Sequence, residues 1–233
     1  MDASAANTIK GRAPLRASGA LRSALKKRGK SPGTLSYFYS AKNDKDLVLA
    51  SDLDLCSALD LEADEHVRSY ETDKVRIAER CQREWKSGAA PDVFVTCHDG
   101  SVRLRYVRYS RPQCSKCPDQ DPVLIGLPEE FSEKEVRDRE RLIHDWLHIA
   151  PVLHETRWQL AACWTSLSRE VLKQVGSGPC SLGSLRQAGI DSWPIVFSTA
   201  WRLAQLGELR SDIDHHPLGA TTQLVVQGKG NAY

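Results

Sequence analysis

The sequence predicts an α/β unit over residues 35–110, followed by a mainly helical body over 129–228 that ends in winged-helix order. Three observations carry this. Short runs rich in β-branched and aromatic residues recur between turn residues in the first half: Leu35–Ser40, Asp92–Cys97 and Val102–Tyr109. The second half instead spaces its apolar residues at helical intervals behind capping residues. Between the two, Pro112, Pro118, Pro122 and Pro128 mark a linker at 111–128.

Taken in order, Leu35–Ser40 and Leu47–Ala50 read as strands around the turn AKNDKD. Ser51 opens a helix: a hydroxyl at the cap, Asp52 and Asp54 in the first turn, then Leu53, Cys56, Leu59 and Ala63 at helical spacing. Val67–Glu71 and Lys74–Cys81 read as extended, and Ser87–Pro91 as a break. Asp92–Cys97 and Val102–Tyr109 form a hairpin about Asp99-Gly100, because Asp-Gly accepts the positive φ that tight turns need. Beyond the linker, Ser132-Glu133-Lys134-Glu135 is a capping box that starts a helix running to about Trp146. Pro151 is expected to end that segment, with a short strand at Val152–Gln159 and a new helix at Leu160–Val175. A short helix at Ser181–Gln187, a turn at Gly189–Asp191, a helix at Pro194–Leu206 and strands at 208–214 and 222–227 follow. Helix, turn, helix, hairpin is the order of a winged helix.

With 233 residues, 41% hydrophobic and 27% charged, the chain is neither collagen-like nor a disulfide miniprotein nor disordered throughout. No run of about 18 apolar residues exists. The start lacks an apolar signal segment, and the seven cysteines have no framework spacing, so a cytoplasmic protein is expected. The net charge of +2 conceals an asymmetry. Residues 1–34 hold eight bases, among them Lys26, Lys27, Arg28 and Lys30, against Asp2 alone, a net +7 that leaves −5 on the rest. Such an arm, rich in Gly, Ala, Ser and Pro, is expected to be flexible and to follow DNA phosphates.

Candidate chemistry lies in the first body. Magnesium nucleases hold the ion with carboxylates from separate elements, because a hard ion wants oxygen ligands. One arrangement uses a helix acid, an acid opening a hairpin strand, and acid-x-Lys on the return strand, two residues apart and so on one face. Here the helix offers Asp54 and the strand start Asp92, while Tyr106 and Arg108 stand at the acid-x-Lys positions. The expectation is that Asp54 and Asp92 share a pocket that Tyr106 and Arg108 face, with Arg103 and Arg105 on the opposite strand face. Tyrosine is a poor magnesium ligand, and arginine cannot shed a proton as a tuned lysine can, although Arg108 suits a phosphate.

These residues carry a resemblance. Ser51-Asp52-Leu53-Asp54, then Ala63–Glu71, Pro91-Asp92-Val93-Phe94-Val95, Asp99-Gly100 and Tyr106-Val107-Arg108 resemble the nuclease domain of the TnsA family, the endonuclease subunit of heteromeric transposases. Gly207–Asp214, Pro217-Leu218 and Thr221 resemble the end of the winged helix appended in that family. The likeness covers about three quarters of the chain. It implies a restriction-endonuclease-like, PD-(D/E)xK fold, magnesium as cofactor, and cleavage of one strand at a transposon end. It also implies a TnsB-like DDE transposase and a TnsC-like ATPase regulator as partners. By the same resemblance Asp54 stands for the family's glutamate, one methylene shorter, and Asp92 for its aspartate. Tyr106 and Arg108 stand for its glutamate or glutamine and its lysine, so weakened or lost catalysis is expected. Asp54, Asp92 and Arg108 are thus the candidate catalytic residues and Asp54 and Asp92 the metal ligands. Lys26, Lys27, Arg28, Lys30, Arg103 and Arg105 are the candidate DNA contacts. A non-cleaving DNA-binding adaptor of a mobile element and a winged-helix transcriptional regulator remain as alternatives.

Other motifs carry less. Cys114-Ser115-Lys116-Cys117 is half a zinc site, with Cys81 the best third ligand. His144 and His148 stand four apart, but Asp145 occupies the place where a zincin needs glutamate. Glu62 lies two turns beyond Asp54, about 12 Å away and too far to share its ion. The tryptophans of the second half, at helical spacing among leucines, read as core.

Overall fold

The computed structural model describes residues 35–84, 91–108 and 127–227. The basic arm with Lys26, Lys27, Arg28 and Lys30, and the Cys114/Cys117 pair, lie outside them.

Strands β1 (Ser36–Ser40) and β2 (Lys45–Leu49) form an antiparallel hairpin in the register Ser36↔Leu49 to Ser40↔Lys45. Helix α1 (Asp52–Ala63) follows Ser51, whose hydroxyl accepts the Asp54 amide. Its buried residues run consecutively from Ser57 to Glu62, so the helix is covered on every side rather than along one stripe. That is the position of a central helix, and it explains why Asp60 and Glu62 need partners inside the protein.

A four-stranded sheet takes the order β3-β4-β5-β6, from β3 (Val67–Glu71), β4 (Val93–Cys97), β5 (Val102–Arg108) and β6 (Leu127–Ser132). The first three are antiparallel neighbours, and β6 lies parallel to β5. The β4–β5 turn closes on Gly100 at φ +84°, a conformation that glycine adopts without a Cβ penalty. One sheet face, with Val67, Val93, Val95 and Phe131, packs into the main core. The other carries Phe94 and Leu104 under Ile77 of α2 (Lys74–Glu84).

Residues 74–81, expected to be extended, are helical. Asp73 caps the helix, its carboxylate accepting the Val75 amide at 2.9 Å and its carbonyl the Ile77 amide at 2.9 Å. Lys, Arg, Ala, Glu and Gln fill the segment, all strong helix formers. Ile77 is buried beneath it while Val75 is 63% exposed, so the alternation suggested by Val75 and Ile77 is not a strand face.

The capping box at Ser132 and Glu135 starts a short helix, α3 (Glu133–Asp138). The long helix α4 (Glu140–Gly176) then runs 37 residues straight through Pro151. The expected strand at 152–159 does not form. Proline removes one hydrogen bond to the Leu147 carbonyl, on a residue 44% exposed, where the loss costs less than in a dry interior. Against that single loss stand Ile143, Trp146, Ile149, Ala150, Leu153, Thr156 and Leu160, all buried by remaining helical. Two short helices follow, α5 (Leu182–Gln187) and α6 (Trp193–Gln205). Gly189 at φ +63° turns the chain between them. A three-stranded antiparallel sheet closes the chain in the order β7-β9-β8: β7 (Cys180–Ser181), β8 (Leu209–Ser211) and β9 (Gln223–Val226). The last two are shorter than the strands expected at 208–214 and 222–227.

The protein is thus mixed α/β. One buried cluster runs from Phe38 and Leu59 through Val95 and Phe131 to Trp146, Trp201 and Leu224. β6 follows the expected linker yet completes the first sheet, so both halves share a single core.

Candidate functional site

The site is built where α1 begins and β4 and β5 separate. Ser51 holds Asp54 over the start of α1: its hydroxyl donates to Asp54 Oδ2 at 2.8 Å and accepts the Asp54 amide at 3.1 Å. Asp92 follows Pro91, and its amide donates to the Arg105 carbonyl at 2.9 Å, which places it just outside the β4–β5 ladder. Asp92 Oδ2 accepts the Val107 amide at 2.9 Å, and Oδ1 receives Lys74 Nζ at 2.9 Å. Asp54, Asp92, Lys74, Thr72 and Val107 line one cavity of about 80 Å³.

Tyr106 and Arg108 do not line that cavity. Tyr106 packs against the group formed by Ile77, Phe94 and Leu104 on the far face of the sheet. The Arg108 guanidinium lies 5.5 Å over its ring, as expected for side chains two residues apart on one strand face. The strand position turned to the carboxylates is therefore Val107. The expectation that the acid-x-Lys positions face the pocket is corrected by one step of strand alternation.

Arg105 is an interior residue, 1% exposed, and not a surface DNA contact. Its guanidinium pairs with Asp60 Oδ2 at 2.8 Å and Glu129 Oε1 at 2.6 Å, donates to the Ser57 carbonyl at 3.2 Å, and lies 5.0 Å over Phe131. Arg139 holds the second Asp60 oxygen at 2.6 Å. A charge survives burial only with such compensation, which ties α1, β5, β6 and the start of α4 together. Arg103 is half-buried and bound to Asp64 at 2.6 Å. Burial by itself raises the Asp64 pKa, but the Arg103 guanidinium, the His66 amide and the Lys42 ammonium together outweigh it and the net shift is downward.

Glu62 is likewise interior. It accepts from Ser40 Oγ at 2.5 Å, Tyr70 Oη at 2.8 Å, Gln205 Nε2 at 2.6 Å and the Lys42 amide at 3.3 Å. These are ordinary interior hydrogen bonds, and they leave no oxygen for a metal.

Magnesium can be tested against this donor set. It favours octahedral oxygen coordination and is held by one or two carboxylates plus waters and phosphates. Two carboxylates are present, but both oxygens of Asp92 are occupied, one by an ammonium, and Asp54 accepts the Ser51 hydroxyl. No group of three or more His, Cys, Asp or Glu side chains suited to a metal occurs among the described residues. The Lys74 ammonium, a cation of the chain's own, sits against Asp92 on the side of the pocket.

The remaining motifs settle into structure. His144 and His148 meet edge to face at 4.8 Å on an exposed helix face. Trp146 and Trp201 are buried, 5.9 Å apart in the core, whereas Trp158 is 65% exposed rather than packed. Beside it, Arg157 lies 4.9 Å over Tyr39 at the rim of a groove between the β1–β2 hairpin and α4. A second cleft, between α1 and β8, is lined by five arginines but also by Asp64, Glu65, Asp138, Glu140 and Asp214, so it carries no net positive field. No described helix is long and apolar enough to cross a membrane.

Lys74 and the Asp60–Arg105–Glu129 cluster are the residues that sequence reasoning missed. A signal existed for Lys74: it follows a capping aspartate and opens a run of helix formers. None existed for the cluster, whose members lie up to 69 positions apart in the sequence.

No protein-family model matches the chain, and no curated protein matches it.

Proposed function

We propose that the protein serves DNA transposition as a TnsA-like subunit that binds transposon-end DNA and partners a DDE transposase, with catalysis weakened or lost. The observation that carries this is the convergence of Asp54 and Asp92 on one cavity at the end of a sheet whose first three strands are antiparallel and whose fourth is parallel. A helix acid and a strand-opening acid meeting there is the arrangement that a carboxylate nuclease of restriction-endonuclease-like fold requires. The C-terminal order β7-α5-α6-β8-β9, with β9 central in its sheet, supports a winged helix.

Loss of catalysis is supported by the missing partners. Val107 is turned to the pocket where the chemistry calls for a lysine, and Arg105 is committed to Asp60 and Glu129. Magnesium, which the resemblance implies, would meet the Lys74 ammonium at Asp92, and no step is routed through it. DNA contact falls to the +7 arm at residues 1–34. The regulator alternative gains nothing from α6. Val196, Ser198, Thr199, Ala200, Trp201, Leu203 and Gln205 are buried, which leaves little of that helix for a major groove.

The test is a mobility shift on transposon-end DNA, a pull-down with the DDE transposase of the same element, and plasmid nicking in magnesium. Binding to both without nicking is the expected result. Failure to bind either DNA or transposase would overturn the proposal, and a palindromic operator bound in its place would favour the regulator.

A further inference from the structure

The carboxylate pocket poses a charge problem. Asp54 and Asp92 line one cavity of about 80 Å³ and together bring two negative charges to the end of the sheet. Like charges at such a site raise each other's energy unless a cation intervenes. In a carboxylate nuclease a divalent ion fills that need.

The cation here is covalent. Lys74 is the first residue of α2, oriented by the Asp73 cap, and its ammonium lies 2.9 Å from Asp92 Oδ1. The Val107 amide takes the other Asp92 oxygen, and Ser51 donates to Asp54. Each carboxylate therefore has a donor from its own chain.

We infer that the Lys74 ammonium stands in for the divalent cation and keeps the pocket closed to metal. The inference rests on the nuclease ancestry proposed above and adds a residue to it: the pocket is blocked as well as lacking its acid-x-Lys pair. The Lys74 side chain is 72% exposed, so truncating it disturbs little packing.

Manganese is the probe, because its free ion gives an electron paramagnetic resonance signal that disappears on binding. Titrations use the full chain as wild type, Lys74→Ala, Lys74→Arg, and Lys74→Ala combined with Asp92→Asn. Removing one like charge next to the ion, largely exposed to water, is worth about fivefold in affinity. Lys74→Ala is expected to bind manganese at least that much more tightly than wild type. Lys74→Arg, which keeps the cation, is expected to behave as wild type, and the double variant to lose the gain. Wild type binding manganese as tightly as Lys74→Ala would overturn the inference, as would a gain that survives Asp92→Asn. Far-UV circular dichroism and melting temperature confirm that each variant is folded. Failure of DNA or transposase binding by wild type would overturn the functional proposal while leaving a manganese gain in Lys74→Ala intact, so the two failures are distinguishable.

Discussion

Arg105 is the residue on which most of the interior charge depends. Its removal leaves Asp60 with Arg139 alone and takes the 2.6 Å partner from Glu129, and breaking a buried pair from one side costs about 3–5 kcal/mol. Arg105→Met should lower the urea midpoint by that equivalent, with no matching loss from Arg108→Met on the opposite strand face. Glu62 is a similar case, since Glu62→Ala strands Tyr70, Ser40 and Gln205 without an acceptor. Lys42 yields a pH test. Burial lowers its ammonium to about 8 from 10.5, against the opposing pull of Glu62 and Asp64. Between those two values the unfolded chain binds more protons than the folded one, so this group's contribution to stability rises with pH across that window. Denaturation at pH 7 and pH 9.5 should show wild type gaining on Lys42→Met as the pH rises. An unchanged difference would mean that Lys42 is not desolvated.

At the scale of elements, the helix starts are the clearest designators. Ser51 caps α1 and also fixes Asp54, so Ser51→Ala should cost about 1 kcal/mol of stability, as losing an N-cap hydroxyl generally does. The same change at Ser132 removes a full capping box and should cost at least as much. Pro151 works in the other sense. It sits inside α4 without donating to the Leu147 carbonyl, and its ring is exposed. Pro151→Ala should raise the melting temperature, because the helix regains a hydrogen bond and the buried positions on either side are already in register. A drop would show that the packing of α4 on α6 depends on the proline ring itself.

Among the described residues one large core cluster spans both halves beside the small group at Ile77, Phe94 and Leu104, so unfolding should be that of one unit. Tryptophan fluorescence is weighted to the helical half, which holds five of the six tryptophans, while far-UV circular dichroism reports both halves. The two should give coincident unfolding curves, and separated midpoints would restore two independent bodies. The basic arm acts at this scale too. Deleting residues 1–30 removes all eight of its bases, so DNA affinity should fall and the dependence of log affinity on log salt should flatten. An unchanged slope from low to moderate salt would take the arm out of the function.

Much of this was legible locally. Ser51, Ser132, Gly100 and Gly207 announce boundaries through their own backbone chemistry, and the structure has helix starts, a hairpin and a helix end at those places. The sequence by itself also determined the charge asymmetry and the two acids, Asp54 and Asp92, worth examining. Tertiary structure decided the rest. Whether 74–81 is strand or helix turned on which face of the sheet needed covering, and whether Pro151 broke α4 turned on how much apolar surface the continued helix buried. It decided that Val107 rather than Tyr106 meets the carboxylates, that Arg105 is enclosed, and that Lys74 arrives beside Asp92. The physical reason is range: capping and turn formation act within a few residues, whereas burial and ion pairing join residues that only a completed core brings together.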